Sequence, residues 1–162
     1  MTIAHTKHLL EKLHLFRLSY RNAGILLTKL LKDLDSEVLV IPPKLMEEYV
    51  AQSRRRFGNY SKKGRLQDEL ETELEGILTS LKTDFPYLSK EDISIICYSA
   101  AGFPDYLIAR LSNVCSAHRV SAIRCQLIGL IKNSGVERRD IYLAMLTTEQ
   151  KMRKEVSGRN VC

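Results

Sequence analysis

Residues 88–133, LSKEDISIICYSAAGFPDYLIARLSNVCSAHRVSAIRCQLIGLIKN, decide how this chain folds. Ser89 followed three residues on by Asp92 is a capping box, so a helix starts there. Ile93, Ile96, Cys97 and Ala100 recur at helical spacing, and Gly102 supplies a left-handed stop. Phe103-Pro104-Asp105 opens a second helix with proline in its first turn, where the missing N–H costs nothing. Leu107, Ile108 and Leu111 form its apolar stripe. Asn113 permits a tight turn, and Ser116 can cap a third helix. That helix carries Val120, Ile123, Leu127, Leu130 and Ile131 on one side, and Arg119, Arg124 and Lys132 without a carboxylate.

Helix, glycine turn, short helix, tight turn, basic helix is the order of a helix-turn-helix reader. A small helical bundle that binds nothing has the same pattern. The residues also carry a resemblance. Leu88, Ser89 and Asp92, the turn at Ala100, Gly102 and Phe103, the pair Ile108-Ala109, and Val120 with Arg124 resemble motifs of the LuxR/NarL-type four-helix DNA-binding domain. The recognition-helix match allows one extra residue in the turn. More narrowly, residues 84–147 are similar to the C-terminal output region of Bacteroidetes-type tetratricopeptide-repeat transcriptional regulators. Before residue 45 the resemblance is weak.

What the resemblance implies is a DNA-binding transcriptional regulator output module in signal transduction, with residues 116–133 as recognition helix and duplex DNA as partner. Ser116, Arg119, Ser121, Ala122, Arg124 and Cys125 are then the DNA-binding candidates. Arg119 and Arg124 would contact phosphates, while Ser121, Ala122 and Cys125 would face base edges. The last three are small, and none makes the bidentate contacts that specify guanine or adenine. Pro104 also replaces the family's cap serine. The competing reading is a degenerate helix-turn-helix that serves as a protein-interaction or dimerisation module without DNA binding.

Composition narrows the classes. A net charge of +6 and a pI near 9.2 suit a polyanion partner. A hydrophobic fraction of 44% excludes wholesale disorder. No run approaches the roughly 18 apolar residues of a membrane span, and no signal peptide is recognisable, so a cytoplasmic location is expected. Cys97, Cys115, Cys125 and Cys162 lack zinc-ligand spacing, and reduced thiols are expected. His5, His8 and His14 lack a convincing fourth ligand and read as a solvated amino end. No phosphate loop, HExxH or nucleophile elbow occurs, so neither an enzyme nor a cofactor is expected.

Outside residues 88–133 the pattern is also helical. Leu9, Leu13, Phe16, Tyr20, Ala23, Leu27, Leu30 and Leu34 alternate steps of four and three, predicting a long helix over 1–36. Residues 38–41 read as an apolar loop, and Pro43 as the start of a helix bearing Leu45, Met46, Tyr49 and Val50. Arg54-Arg55-Arg56 is either a phosphate-contacting patch or a solvated helix face. From Leu66 a seam resumes through Leu70, Leu74, Ile77 and Leu81, predicting one helix that ends before Pro86. Its acidic run, Asp68, Glu69, Glu71, Glu73 and Glu75, reads as solvated surface. A closing helix spans 138–146, followed by a polar tail. The expected architecture is all-α: a long-helix, coiled-coil-like or bundle region over 1–83, then a helix-turn-helix domain over 84–162. The first stripe pairs either with the helix of residues 65–83 or with a second copy in a homodimer.

Overall fold

The computed structural model describes residues 2–37 and 63–147, and they are all-α. Seven helices follow one another among them: α1 (Ile3–Glu37), α2 (Lys63–Glu73), α3 (Ile77–Asp84), α4 (Lys90–Ala100), α5 (Asp105–Leu111), α6 (Ala117–Lys132) and α7 (Arg139–Leu146). The readings of residues 38–41, of the helix after Pro43, of Arg54-Arg55-Arg56 and of the tail from 148 lie outside the described residues. No helix among them is long and apolar enough to cross a membrane.

The apolar stripe of α1 faces inward. Leu9, Leu13, Phe16, Tyr20, Ala23 and Leu27 are all buried, in one hydrophobic cluster with Leu66, Leu70 and Leu74 of α2 and with residues of α3 to α7. Each buried leucine or phenylalanine contributes about 1.5–3 kcal/mol of transfer free energy. The core therefore runs unbroken across residue 83, and α1 packs on α2, α4, α5 and α7. This internal burial uses up the stripe that could have paired two copies.

Two details hold α1 in place. Gly24 lies where the helix meets Phe103, and a Cβ there would come within 2.9 Å of the ring. Glycine inside a helix costs about 1 kcal/mol relative to alanine, so the close approach is its physical reason. Seven residues earlier, Arg17 reaches the carboxyl ends of two helices. Its Nε donates to the Ala100 carbonyl at 3.1 Å, and its guanidinium reaches the carbonyls of Ala144 at 2.6 Å and Thr147 at 2.9 Å. Met145 and Ser99 carbonyls lie at 3.2 and 3.5 Å. Carbonyls in a last helical turn have no partner within the helix and carry the negative end of its dipole. One cation thus serves both α4 and α7.

Residues 63–84 differ from the single helix that the leucine seam predicts. The helix stops at a Schellman turn: Gly76 N–H donates to Glu71 C=O at 2.8 Å and Glu75 N–H to Thr72 C=O at 3.4 Å. Glu75 and Gly76 both have positive φ, 55° and 82°. The Glu71 carboxylate then accepts from the backbone N–H groups of Leu78 (2.6 Å) and Thr79 and from the Thr79 hydroxyl, capping α3 from outside. The seam stays in register because Leu74, Ile77, Leu78 and Leu81 are all buried on either side of the break. Glu69 accepts from the Tyr20 hydroxyl, and Glu75 lies 3.3 Å from His8 and 3.7 Å from His5. Three members of the acidic run therefore tie α1, α2 and α3 together rather than only facing water.

From Ser89 to Gly102 the local signals operate as read. Ser89 and Asp92 form the reciprocal capping box, each bond 3.0 Å long. Gly102, φ 79°, closes α4 with another Schellman pair, Phe103 N–H to Tyr98 C=O and Gly102 N–H to Ser99 C=O. Pro104 stands at the extended N-cap of α5, just before the first turn in which it is expected. The Tyr142 hydroxyl on α7 donates to Asp84 at the end of α3, 2.6 Å away.

Candidate nucleic-acid interface

The two helices that would form a reader, α5 and α6, are joined by residues 112–116. Asn113 takes the left-handed conformation, φ 56°, and Val114 N–H returns to the Ala109 carbonyl at 2.9 Å. An asparagine tolerates this conformation better than other side-chain-bearing residues. Ser116 is extended and its hydroxyl accepts from Arg119 N–H at 3.1 Å, capping α6. Val120, Ile123, Leu127, Ile128 and Ile131 turn inward, against α4, α5 and α7. Leu130, read as part of that apolar side, is instead 37% exposed, and Ile128 takes the inner position at 3%.

The candidate residues separate into two groups. Ser116 and Arg119 are exposed at the amino end of α6, Ala122 is half-buried on its outer face, and Ser121 and Cys125 are half-buried beside it. Arg124 belongs to neither the surface nor the phosphate-contacting role expected for it. It is 1% exposed, forms an ion pair with Asp105 in the first turn of α5, and donates to the Ser99 hydroxyl of α4 at 3.1 and 3.3 Å. One side chain thereby joins α4, α5 and α6. The reason is positional: Arg124 stands four residues after Val120 and four before Ile128, in the middle of the inner face. A guanidinium there needs a carboxylate and acceptors, because a buried unpaired charge is costly.

Two exposed side chains on the outer face lie outside the set that the resemblance implies. His118 and Gln126 stand four residues before and after Ala122, so all three share one side of α6, and both flanking residues are exposed. The i, i+4 spacing through Ala122 was the available signal. Gln126 is the more informative, since a glutamine amide can make the paired donor and acceptor contacts that recognise adenine. Gly129 continues the face, and a Cβ there would meet nothing within 4 Å.

Around this face the charge is positive but sparse. Residues 117–132 contain no carboxylate, and Arg119 and Lys132 are exposed near opposite ends of the helix. Beyond it, Arg110 on α5 and Arg139 on α7 are exposed, the latter 3.9 Å from Asp140 in a contact too open to carry much energy. No group of three or more potential metal ligands occurs among the described residues. No family model matches the chain, and comparison with curated proteins and with solved structures found no match.

Proposed function

We propose that this chain is a transcription-regulator output module that binds duplex DNA through α6, with α5 as the bracing helix. The observation that carries the reading is the outer face of α6: exposed, free of carboxylates, opening on a serine-capped amino end with Arg119 beside it. Backbone N–H groups at a helix amino end and an adjacent arginine are suited to phosphate. His118, Ala122 and Gln126 are the side chains for base edges, with Ser121 and Cys125 on the flanks. Only Gln126 among them offers a two-point contact, so phosphate contacts supply most of the affinity and discrimination is modest.

Fluorescence anisotropy with labelled duplexes of mixed sequence tests this, at salt between about 50 and 200 mM. Binding that weakens with salt is expected. Arg119→Ala should weaken it on every sequence and lower the salt slope by about one. Gln126→Ala should leave the slope unchanged and flatten sequence preference. Absence of salt-dependent binding sinks the proposal.

A second reading has its own support. Ala122, Cys125 and Gly129 make a small-residue strip on α6, and the burial of Arg124 withdraws one cation from the helix surface. Such a strip can receive a partner helix. Under this reading α6 captures a protein, and anisotropy shows no response to any duplex.

A further inference from the structure

The inner stripe of α1 is buried, yet the opposite side of the same helix is only partly polar. Leu15 is 61% exposed, Leu18 49%, Ile25 57% and Leu26 51%. Singly exposed leucines need no explanation, but these fall in a pattern. Glu11, Leu15, Leu18, Asn22, Ile25 and Lys29 are separated by four, three, four, three and four residues. That is a second heptad seam, with Leu15, Asn22 and Lys29 at a positions and Glu11, Leu18 and Ile25 at d positions. At 100° per residue it lies opposite Leu9, Leu13, Phe16 and Leu27.

From this seam we infer that α1 is also an association helix and that its partner is the α1 of a second copy, antiparallel. Charge decides the direction. A parallel pair would set Glu11 against Glu11 and Lys29 against Lys29. An antiparallel pair centred on residue 20 sets Glu11 of each copy against Lys29 of the other, at both ends of the contact. The same register places Leu15 against Ile25 and Leu18 against Asn22. Glu11, Asn22 and Lys29 are exposed, so each can reach a partner. A polar Asn at an a position fixes register at a cost in stability. Leu26 widens the seam on one flank. On the other, Arg21 of the two copies approach near the axis, a repulsion that added salt relieves. The contact spans about 27 Å of helix, which is short, so the dimer should be weak, with a Kd of roughly 10–100 µM. This inference does not rest on DNA binding, since α6 takes no part in the contact.

Sedimentation equilibrium of the full chain without DNA, from about 5 to 300 µM, tests it. The expected result is a monomer–dimer equilibrium that Leu18→Glu abolishes. Glu11→Lys and Lys29→Glu should each weaken the dimer about fivefold to tenfold, and the double exchange should restore it to within about twofold. Asn22→Leu, a change at an exposed position, should tighten it. Circular dichroism checks that each variant keeps the wild-type helix content. A wild-type chain that stays monomeric throughout the range overturns the inference. So does a dimer indifferent to Leu18→Glu, or a double exchange no better than the single ones. Any of these results leaves the anisotropy experiment on α6 unaffected.

Discussion

Two arginines hold this molecule together, and they do so in different ways. Arg124 sits inside the α4–α5–α6 unit with a carboxylate and a hydroxyl as partners. Arg17 arrives from α1 and donates to main-chain oxygens at the ends of α4 and α7. In the first case the partners are side chains, and a charge is matched by a charge. In the second they include helix ends, whose carbonyls exist whatever the sequence. Both arginines touch Ser99, the first at its hydroxyl and the second near its carbonyl, so the last turn of α4 is a shared seat. A guanidinium, planar and permanently charged, suits both places, and lysine cannot copy its geometry in either.

The sharpest way to separate them is to remove each. Arg124→Ala leaves a half-buried Asp105 unpaired and empties a fully buried site, and should cost about 3–5 kcal/mol, seen as a lower urea midpoint. If it costs less than about 1 kcal/mol, Arg124 is not the lock that its burial indicates.

The shared seat can be attacked without mutation. Burial pushes the Cys97 thiol up to about 12, from 9.0, and the Tyr98 hydroxyl up to about 12, from 10.0. The two residues are the pair just before Ser99. Their neutral forms are favoured by the fold, so the stability they contribute is complete below the unfolded values. It is lost as pH rises from about 9 towards 12, because the unfolded chain ionises first. Cys97 alone accounts for a loss on the order of 3 kcal/mol by pH 11. Thermal melts at pH 8 and pH 11 check it. A Cys97→Ala chain should show a shallower alkaline decline than wild type.

Arg17→Ala should cost about 1.5–3 kcal/mol, the range for hydrogen bonds to a charged group, and Arg17→Lys should recover only part of that. Hydrogen exchange sharpens the comparison. Loss of Arg17 should raise exchange in α1 and in the last turns of α4 and α7, whereas loss of Arg124 should raise it through α5 and α6. The smallest change, Ser89→Ala at the other end of α4, should cost about 1 kcal/mol and spare both junctions.

The same contrast explains what could be read from the chain. The capping box at Ser89 and Asp92, the left-handed stop at Gly102, the tight turn at Asn113 and the cap at Ser116 each depend on residues within a few positions, and each is found as expected. The Glu75–Gly76 break was hidden for the opposite reason. Its leucines keep helical spacing through the turn, and the carboxylate that caps α3 comes from Glu71, seven residues upstream of Leu78. Arg124 carries two opposed signals: its i±4 relation to Val120 and Ile128 marks an inward position, and its charge argues for the surface. Its partners, Asp105 and Ser99, are set by how three helices pack, which no local window contains. The stripe of α1 announced a partner without naming it, and the partner proved to be the rest of the chain.

Gly24 carries a consequence for how α1 can move. With no side chain at that point, Phe103 rests directly against the helix backbone, and a neighbouring position would present a bulkier surface to the ring. Sliding α1 by a turn would drive Leu27 or Tyr20 into the space the ring occupies, so the contact works as a detent with one seat. Moving α1 therefore means unseating it from Phe103. Detachment would also uncover the carbonyls that Arg17 occupies.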